Sequence, residues 1–299
     1  MSPPKILIQL DSDPQPSVFD AVVAADSGVD QLFRHGGVSP DQVRDLVYGA
    51  MFTRGPDDLK NTAVFVGGSR VSDGEAILQR VVECFFGPMR VSVMIDSNGA
   101  NTTAAAAVLA AARHVELNGA TAVVLAATGP VGSRIVRLLA REGGVVKAAS
   151  RSLDRAQAVC DQVRQRVPDA QVEPLETHSP ESLVAALADA QVVFTAGAAG
   201  VELLPEEIWK KAGGLKVAID LNAVPPLGIG GIEVTDRAKD RNGVACYGAI
   251  GVGGTKMKIH KAALRRLFNA NDQILDAEEI FAIGKEMCES RELRVESRE

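Results

Sequence analysis

Short apolar runs alternate with amphipathic stretches along the first hundred residues. The runs have the length of buried strands, and the stretches between them repeat apolar positions at helical spacing. The predicted strands cover residues 5–9, 63–66 and 91–95, and the predicted helices cover residues 17–25, 40–51 and 73–86. Two of these helices have clear starts, one after Pro16 and one at the N-cap Ser39. This order is typical of a self-contained α/β unit.

The alternation resumes at residue 121 and continues to residue 248. The predicted strands cover residues 121–126, 145–149, 170–173, 191–195, 215–220 and 244–248, and the predicted helices cover residues 130–142, 153–166 and 180–188. Strands that alternate with helices form parallel sheets with right-handed crossovers. Because ligands bind such sheets beyond the carboxyl ends of the strands, the loops at 150–151, 195–200 and 220–231 are candidate contacts.

Further helical segments flank this second unit. The predicted helices are an alanine-rich one capped by Asn98 or Asn101 and running to about Leu117, one from about Lys256 to Phe268 after the glycine-rich residues 248–254, and one over 277–287. Residues 289–299 are predicted to be a mobile charged tail.

The two units and their connections define the expected fold class. We expect two α/β domains joined by long helices, with a cleft between them. The first comprises residues 1–100 and 258–299, and the second comprises residues 101–257. The second domain is expected to be a Rossmann-like doubly wound parallel sheet.

Residues 121–152 form the most informative stretch. An apolar strand leads into a turn with Gly129 and Gly132, and an amphipathic helix follows, whose N-terminus would present free N–H groups to a pyrophosphate. Ala127 replaces the glycine that usually comes first, so its backbone must keep a negative φ or be strained. The alternative is a turn that only packs a helix onto a sheet. We interpret the stretch as a dinucleotide site, with contacts from Thr128, Gly129, Pro130, Val131 and Gly132.

The end of the next strand bears on which dinucleotide binds. NAD sites usually place an acidic residue there, whereas this chain has Ser150, Arg151 and Ser152. A guanidinium can donate paired hydrogen bonds to a 2′-phosphate, so Arg151 favours NADP, with Arg155 as a second contact one helical turn later. The alternative is that Arg151 is an ordinary solvated residue and that Ser152 caps the next helix.

Composition and charge exclude several functional classes. The chain has 299 residues, 46% of them apolar, and a net charge of −6, without a basic face that would suit a nucleic acid. No apolar run is long enough to span a bilayer, and no signal peptide is evident, so we expect a cytoplasmic protein. The four cysteines and four histidines show no metal-ligand spacing, so no metal site is expected and each histidine is predicted to be a surface or capping residue.

Five peptides outside the glycine turn are too specific to be general features of an α/β fold. They are residues 16–30 (PSVFDAVVAADSGVD), 94–107 (MIDSNGANTTAAAA), 195–205 (TAGAAGVELLP), 220–236 (DLNAVPPLGIGGIEVTD) and 248–254 (GAIGVGG). With them the chain resembles, over about residues 4–288, the NADP-dependent methylene-tetrahydromethanopterin dehydrogenases of methylotrophic and related bacteria.

The resemblance implies an oxidoreductase of one-carbon metabolism. Such enzymes transfer a hydride from the methylene carbon of methylene-tetrahydromethanopterin to NADP, giving the methenyl form, and some also accept methylene-tetrahydrofolate. Their architecture is related to that of the methylene-tetrahydrofolate dehydrogenases, with the pterin bound opposite a Rossmann domain. The resemblance also implies a homo-oligomer, expected to be a trimer.

Carried onto this sequence, the resemblance implies candidate site residues. Asp20 belongs to the pterin-binding side, where a carboxylate can bond the pterin or stabilise positive charge, and Lys256 can bind a pterin carbonyl or assist hydrolysis. Both are assigned catalytic and substrate-binding roles. The other predicted substrate contacts are Asp96, Ser97, Asn98, Thr102 and Thr103, some of which must cap the alanine-rich helix. The remaining predicted cofactor contacts are Thr195, Ala196, Gly197, Asp220 and Asn222.

The chemistry of this substrate does not require an acid–base pair. Loss of hydride from the methylene carbon leaves a cation shared by two nitrogens, so the protein has to position the reactants and exclude water. Two alternatives remain open. One is a bifunctional methylene-tetrahydrofolate dehydrogenase and cyclohydrolase, although the turn sequence ATGPVGSRI departs from that family's pattern. The other is a non-catalytic NADP-sensing module. Ser152 stands where the family can carry a second basic residue, so NAD is expected as a weaker second cofactor.

Overall fold

A computed structural model describes the backbone of residues 3–296 and the side chains of residues 3–290. Contacts divide the chain into two units, one formed by the residues up to Thr102 and those from Met257 onward, the other by Thr103–Lys256. Each unit is built on one β-sheet with its own helices. The predicted fold class, two α/β units of which the second is Rossmann-like, is confirmed.

The first unit contains a five-stranded parallel sheet. Its strands are β1 Ile6–Asp11, β2 Gln31–His35, β3 Thr62–Gly67, β4 Ser92–Ile95 and β12 Ile274–Leu275. They lie in the order β12-β4-β3-β1-β2, and every pair is parallel. β3 is buried throughout its length, as expected for a parallel strand covered on both faces. β2 escaped prediction because it is a largely exposed edge strand without an apolar pattern.

The helices of the first unit follow the predicted pattern closely. They are α1 Val18–Asp26, α2 Pro40–Met51, α3 Val71–Glu83 and α10 Ala277–Glu296, with short 3₁₀ helices at Pro56–Asn61 and Ser97–Gly99. The Ser17 hydroxyl caps α1 by accepting a hydrogen bond from the backbone N–H of Asp20 at 3.2 Å. The predicted mobile tail is wrong up to Glu296, because α10 continues that far; its last three residues lie outside the described part of the chain.

The second unit contains a seven-stranded sheet. Its strands are β5 Thr121–Leu125, β6 Val145–Ser150, β7 Val172–Glu176, β8 Val192–Thr195, β9 Val217–Asp220, β10 Arg237–Arg241 and β11 Val244–Tyr247. They lie in the order β10-β11-β9-β8-β5-β6-β7, and the β10–β11 pair is antiparallel. The chain runs outward from β5 to β7 and then returns to β8 on the other side of β5. This reversal creates a topological switch point, the usual ligand site of such sheets.

The helices of the second unit pack against this sheet. They are α5 Pro130–Arg141, α6 Leu153–Arg166, α7 Pro180–Leu187 and the short α8 Glu206–Trp209. The charged sequence RAKDR gave no strand signal, so β10 was not predicted. Within residues 3–296, no helix is long and apolar enough to cross a membrane.

Two further helices, α4 Ala100–Ala112 and α9 Ala249–Arg266, differ from their predicted bounds. α4 ends before the predicted Leu117, and its cap is neither Asn98 nor Asn101: an oxygen of Asp96 accepts the hydrogen bond from the N–H of Thr102 at 3.0 Å.

The start of α9 corrects the prediction that this helix begins at about Lys256, after the glycine-rich residues 248–254. The helix begins at Ala249, immediately after Gly248, whose N–H bonds the carbonyl of Asp236 at 2.9 Å. A Cβ atom on Gly251 would collide with the same carbonyl. These glycines therefore allow the first turn of α9 to approach the Asp236 backbone closely, and they do not mark a break in the helix.

Candidate active site

The turn after β5 forms the first part of the site. Ala126 has a left-handed φ of 58° and Gly129 precedes α5 as its N-cap residue, with Pro130 in the first helical position. Ala127 itself stays out of the left-handed region, in agreement with the first of the two predicted alternatives, and the left-handed residue is its neighbour. Ala127 donates its N–H to the carbonyl of Ala149 at 2.9 Å, which extends the β5–β6 ladder.

Gly132 is the glycine of this turn at which a larger residue does not fit without a backbone shift. A Cβ atom at this position would lie 2.6 Å from the Ala126 carbonyl oxygen and 2.9 Å from the Ala127 Cα. At Gly129 the nearest atom to such a Cβ would be 3.5 Å away, which is ordinary contact. The first turn of α5 therefore packs directly onto the β5 turn, and its free N–H groups can approach a phosphate closely.

A cavity of about 580 Å³ opens beyond the carboxyl ends of β5 to β8. Its lining residues are Leu125, Ala126, Thr128, Ser150, Arg151, Ser152, Arg155, Thr177, His178, Ser179, Pro180, Leu183, Gly197, Ala198, Val201, Glu202, Leu203 and Pro205. The volume suits a nucleotide-sized ligand. Of the predicted cofactor contacts, the cavity brings together Thr128, Ser150, Arg151, Ser152, Arg155 and Gly197.

Two arginines give the cavity its positive charge. Arg151 and Arg155 are exposed, and neither guanidinium forms an ion pair with a described residue. Ser152 is the N-cap of α6, because its hydroxyl accepts from the Arg155 N–H at 3.4 Å, and the Ser150 hydroxyl accepts from the Ser152 N–H at 3.3 Å. The serines thus order the start of α6 and present both arginines at the cavity, where they are available to an anion.

Sequence reasoning missed the loop after β7. Thr177, His178 and Ser179 line the cavity, and His178 lies 3.7 Å from Glu176 across an Nδ1–Oε2 contact. The prediction ended this strand at residue 173, whereas β7 ends at Glu176. A correct boundary would have identified the loop, since β7 pairs with β6 in parallel and its carboxyl end therefore lies beside the predicted loop at 150–151.

Other predicted cofactor residues form hydrogen bonds with the loop that follows β9. Thr195 and Asp220 are fully buried, and the Thr195 hydroxyl donates to an Asp220 oxygen at 2.8 Å. The same carboxylate accepts from the N–H groups of Asn222 at 2.9 Å and Ile229 at 3.0 Å. Neither these residues nor Ala196 line the cavity, and the turn residues Gly129, Pro130, Val131 and Gly132 do not line it either. Their contact with a cofactor stays a prediction.

In the first unit, the predicted polar group at the end of β4 forms hydrogen bonds within itself and with the carbonyls of Gly67 and Gly68. Both oxygens of Asp96 accept from Thr102, one from its N–H at 3.0 Å and one from its hydroxyl at 2.6 Å. The Ser97 hydroxyl donates to the Gly67 carbonyl at 2.9 Å. Asn98 is exposed, with a left-handed φ of 55°, and its N–H bonds the Gly68 carbonyl at 2.7 Å. Asn98 is therefore the residue of this group that most readily reaches a ligand.

The prediction that His260 is a surface or capping residue is wrong. Its side chain is only 1% exposed, and its ring stacks on Phe65 of β3 with centroids 5.7 Å apart. Its Nδ1 lies 3.6 Å from an Asp96 oxygen. The apolar spacing of α9 packs this face against the sheet, so the imidazole is buried beside a carboxylate.

Asp20 belongs to the same environment. It lies in α1, partly buried. The pKa of its carboxyl lies above its usual value, because burial raises that pKa most, the charge of His260 lowers it and the charge of Asp96 raises it.

Lys256 and Thr103 fall in the second unit. Lys256 was expected at the start of a helix, but it lies inside α9 and is half-buried, whereas Lys258 is exposed. Thr103 is half-buried within α4. In residues 3–290, no group of three His, Cys, Asp or Glu side chains is placed to hold a metal ion.

Comparison with known proteins agrees with this geometry. Residues 18–98 match the N-terminal domain of methylene-tetrahydromethanopterin dehydrogenase, and residues 126–267 match an NAD(P)H-binding domain. The NAD(P)-dependent methylenetetrahydromethanopterin dehydrogenase of Methylorubrum extorquens is 30% identical over 91% of this chain and 95% of the relative. The chain belongs to the methylene-tetrahydromethanopterin dehydrogenase family. A second relative is the bifunctional protein MdtA of the same organism. It is 47% identical to this chain over 95% of this chain and 99% of the relative.

Proteins outside this family have a similar fold. Shikimate 5-dehydrogenase from Listeria monocytogenes, solved with shikimate and NAD, aligns with 94% of this chain and 96% of its own at a TM-score of 0.51. With 13% identity, this likeness shows a shared fold alone.

Proposed function

We propose that this chain is an NADP-dependent methylene-tetrahydromethanopterin dehydrogenase. It transfers a hydride from the methylene carbon of methylene-tetrahydromethanopterin to NADP⁺ and releases the methenyl form. The observation that carries the proposal is the likeness, over 91% of this chain, to the NAD(P)-dependent methylenetetrahydromethanopterin dehydrogenase. The unit up to Thr102 would bind the pterin, and the unit Thr103–Lys256 would bind the dinucleotide.

The second unit fits NADP in three respects. The close approach at Gly132 lets the N-terminus of α5 face a pyrophosphate, and the cavity has room for the nucleotide. Arg151 and Arg155 line that cavity without ion-pair partners among the described residues, as a site for a 2′-phosphate requires. No carboxylate stands at the end of β6 to bond ribose hydroxyls, so NAD should bind more weakly.

The chemistry then places specific demands on the protein. NADP⁺ supplies the hydride acceptor when bound. The methylene C–H bond breaks with its electron pair leaving as hydride, and the remaining carbon becomes a cation stabilised by its two nitrogens. An ionised Asp20 would stabilise this positive charge, and Lys256 would bind a carbonyl of the pterin. The protein must also hold donor and acceptor carbons roughly 3 to 3.5 Å apart.

A steady-state assay tests the proposal. Methenyl formation is followed by absorbance with methylene-tetrahydromethanopterin and methylene-tetrahydrofolate, each crossed with NADP and NAD. Turnover with the methanopterin and NADP is expected to be fastest. Turnover with the folate alone, or decay of added methenyl compound, would instead support the bifunctional folate enzyme. Tight NADPH binding without turnover of any pterin would support a sensing module.

Assembly and location are further parts of the proposal. We infer a homo-oligomer, a trimer, acting in the cytoplasm on small-molecule substrates. The support is family membership alone. Light scattering of the purified full-length chain should give a mass close to three times 31.5 kDa; a monomer would contradict it.

A further inference from the structure

A histidine lines the same cavity as the two arginines of the second unit. His178 lies in the loop after β7, and its side chain is 65% exposed, so a ligand can reach it. Its Nδ1 lies 3.7 Å from a carboxylate oxygen of Glu176. Arg151 follows β6, and Arg155 lies in the first turn of α6. Basic side chains from two neighbouring strands and the helix between them therefore line one cavity.

The register of the sheet brings the two loops side by side. β6 and β7 are parallel neighbours in which Ser150 pairs with Glu176, and the N–H of Thr177 donates to the Ser150 carbonyl at 2.9 Å. Arg151 and His178 come directly after these paired and bonded residues, and neighbouring strands lie only about 4.8 Å apart. The two side chains therefore leave the same edge of the sheet within reach of a single anion.

The loop that carries His178 is held in place by the start of α7. The Ser182 hydroxyl accepts hydrogen bonds from the N–H groups of His178 at 3.2 Å and Ser179 at 3.1 Å. The Ser179 hydroxyl in turn accepts from the Ser182 N–H at 3.3 Å, which completes a capping box. The backbone at His178 is therefore fixed before a ligand arrives, so ordering this loop adds little cost to binding.

We propose that His178 is a specificity-determining residue that donates a hydrogen bond from Nε2 to the 2′-phosphate of NADP, as a third cation beside Arg151 and Arg155. The inference rests on the proposed function, because it adds a contact to the proposed 2′-phosphate site. Only a protonated imidazole donates from both ring nitrogens. Glu176 then faces Nδ1 and leaves Nε2 to the phosphate. The histidine thus connects a carboxylate of the protein to an anion of the ligand.

The surrounding charges favour an anion at this end of the cavity. The ionisable side chains that line the cavity with His178 are Arg151, Arg155 and Glu202. Glu202 follows β8, which lies on the far side of β5 and β6 from β7. Glu176 does not line the cavity, and neither do Asp154 and Glu181 in the first turns of α6 and α7. The positive charge at the ends of β6 and β7 therefore suits a phosphate and gives no advantage to the 2′-hydroxyl of NAD.

Equilibrium binding of two fragments tests the proposal without turnover. Adenosine 2′,5′-bisphosphate carries the 2′-phosphate and 5′-AMP lacks it, and calorimetry measures both dissociation constants at about pH 6, where an unperturbed imidazole is mostly protonated. His178→Gln keeps a donor but no charge, and should weaken binding of the bisphosphate about fivefold while that of 5′-AMP stays unchanged. His178→Arg restores a cation and should recover most of the loss. Equal losses for both fragments, no loss, or no recovery in His178→Arg overturn the proposal.

A spectroscopic measurement on the full-length wild type identifies the nitrogen that makes the contact. The ring ¹⁵N signals of His178, assigned by their loss in His178→Gln, are followed by NMR as each fragment is added. The bisphosphate should shift the Nε2 signal and 5′-AMP should not; a shift with both fragments or with neither overturns the proposal. If binding is as expected but the wild type forms no methenyl compound, the proposed function fails and the phosphate contact stands. Turnover together with unchanged bisphosphate binding in His178→Gln means the reverse.

Discussion

The two units use polar residues at the carboxyl ends of their strands in opposite ways. In the second unit, Arg151 and Arg155 are exposed at a cavity and have no ion-pair partner among the described residues. In the first, Asp96 and His260 are buried, and Asp96 is bonded on both oxygens. The first arrangement leaves donors for a ligand, whereas the second fixes charges before any ligand arrives. The second unit thus has exposed charges that a ligand can bind, whereas the first has buried charges whose positions other protein groups already fix.

Replacement of Asp20 should have the largest effect on turnover. Asp20→Asn removes a charge that would face the methenyl cation, so kcat should fall about 100-fold with little change in the KM for NADP. Asp20→Glu keeps the charge and should retain more activity. Steady-state kinetics with both substrates varied provides the test. An equal loss in Asp20→Asn and Asp20→Glu would mean that packing, and not charge, determines the effect.

Gly132→Ala tests whether the second unit depends on close backbone approach. The added methyl would meet the Ala126 carbonyl oxygen at 2.6 Å, so the turn must shift and NADPH affinity should fall by about 30-fold, roughly 2 kcal/mol. Gly129→Ala is the matched control, since its nearest contact would be 3.5 Å. Fluorescence titration with NADPH measures both. Equal affinities for the two variants would contradict the assignment of this turn to the pyrophosphate.

Arg151→Ala tests the proposed selection of NADP. Removal of one guanidinium from the proposed 2′-phosphate site should raise the KM for NADP by at least about tenfold while that for NAD stays unchanged. Lys239→Ala removes the same charge from an exposed position on the edge strand β10 and should change neither. Steady-state kinetics with each dinucleotide separates these cases. Equal changes for NADP and NAD would rule out a 2′-phosphate contact.

Lys256 should give the smallest of these effects. Lys256→Met keeps the length of the side chain but removes its donor, and the KM for the pterin should rise about fivefold if a carbonyl is its partner. Lys258→Met is the control, because Lys258 lies on the same helix and is exposed. Kinetics at saturating NADP measures both variants. If Lys256→Met instead abolished turnover at unchanged KM, a role in the chemical step would replace the binding role.

The same contrast between the units explains what the sequence could predict. The β5 turn, α5 and the serines before α6 follow local rules of periodicity, capping and turn geometry, so their positions were foreseeable. The burial of His260 was not, because a histidine within an amphipathic helix has the same local pattern whether it is buried or exposed. Its partner Asp96 is far away in the sequence, and only the folded chain brings the two together.

Errors at element boundaries had a similar origin. The residues GAIGVGG have low intrinsic helix propensity, yet packing against the Asp236 backbone requires glycine and makes them helical. The end of β7 was placed too early, which hid the contribution of Thr177 and His178 to the cavity. In both cases tertiary contacts overrode local preference, and each error displaced a functional assignment by only a few residues.

The left-handed backbone of Ala126 has a consequence for protein engineering. An alanine in this conformation is strained by roughly 1 kcal/mol relative to glycine, and Ala126→Gly would be an obvious choice for raising thermal stability. Ala126, however, lines the cavity. Selection for heat tolerance alone would therefore favour a change in the wall of the proposed nucleotide pocket, so thermal stability and cofactor fit are linked at this residue.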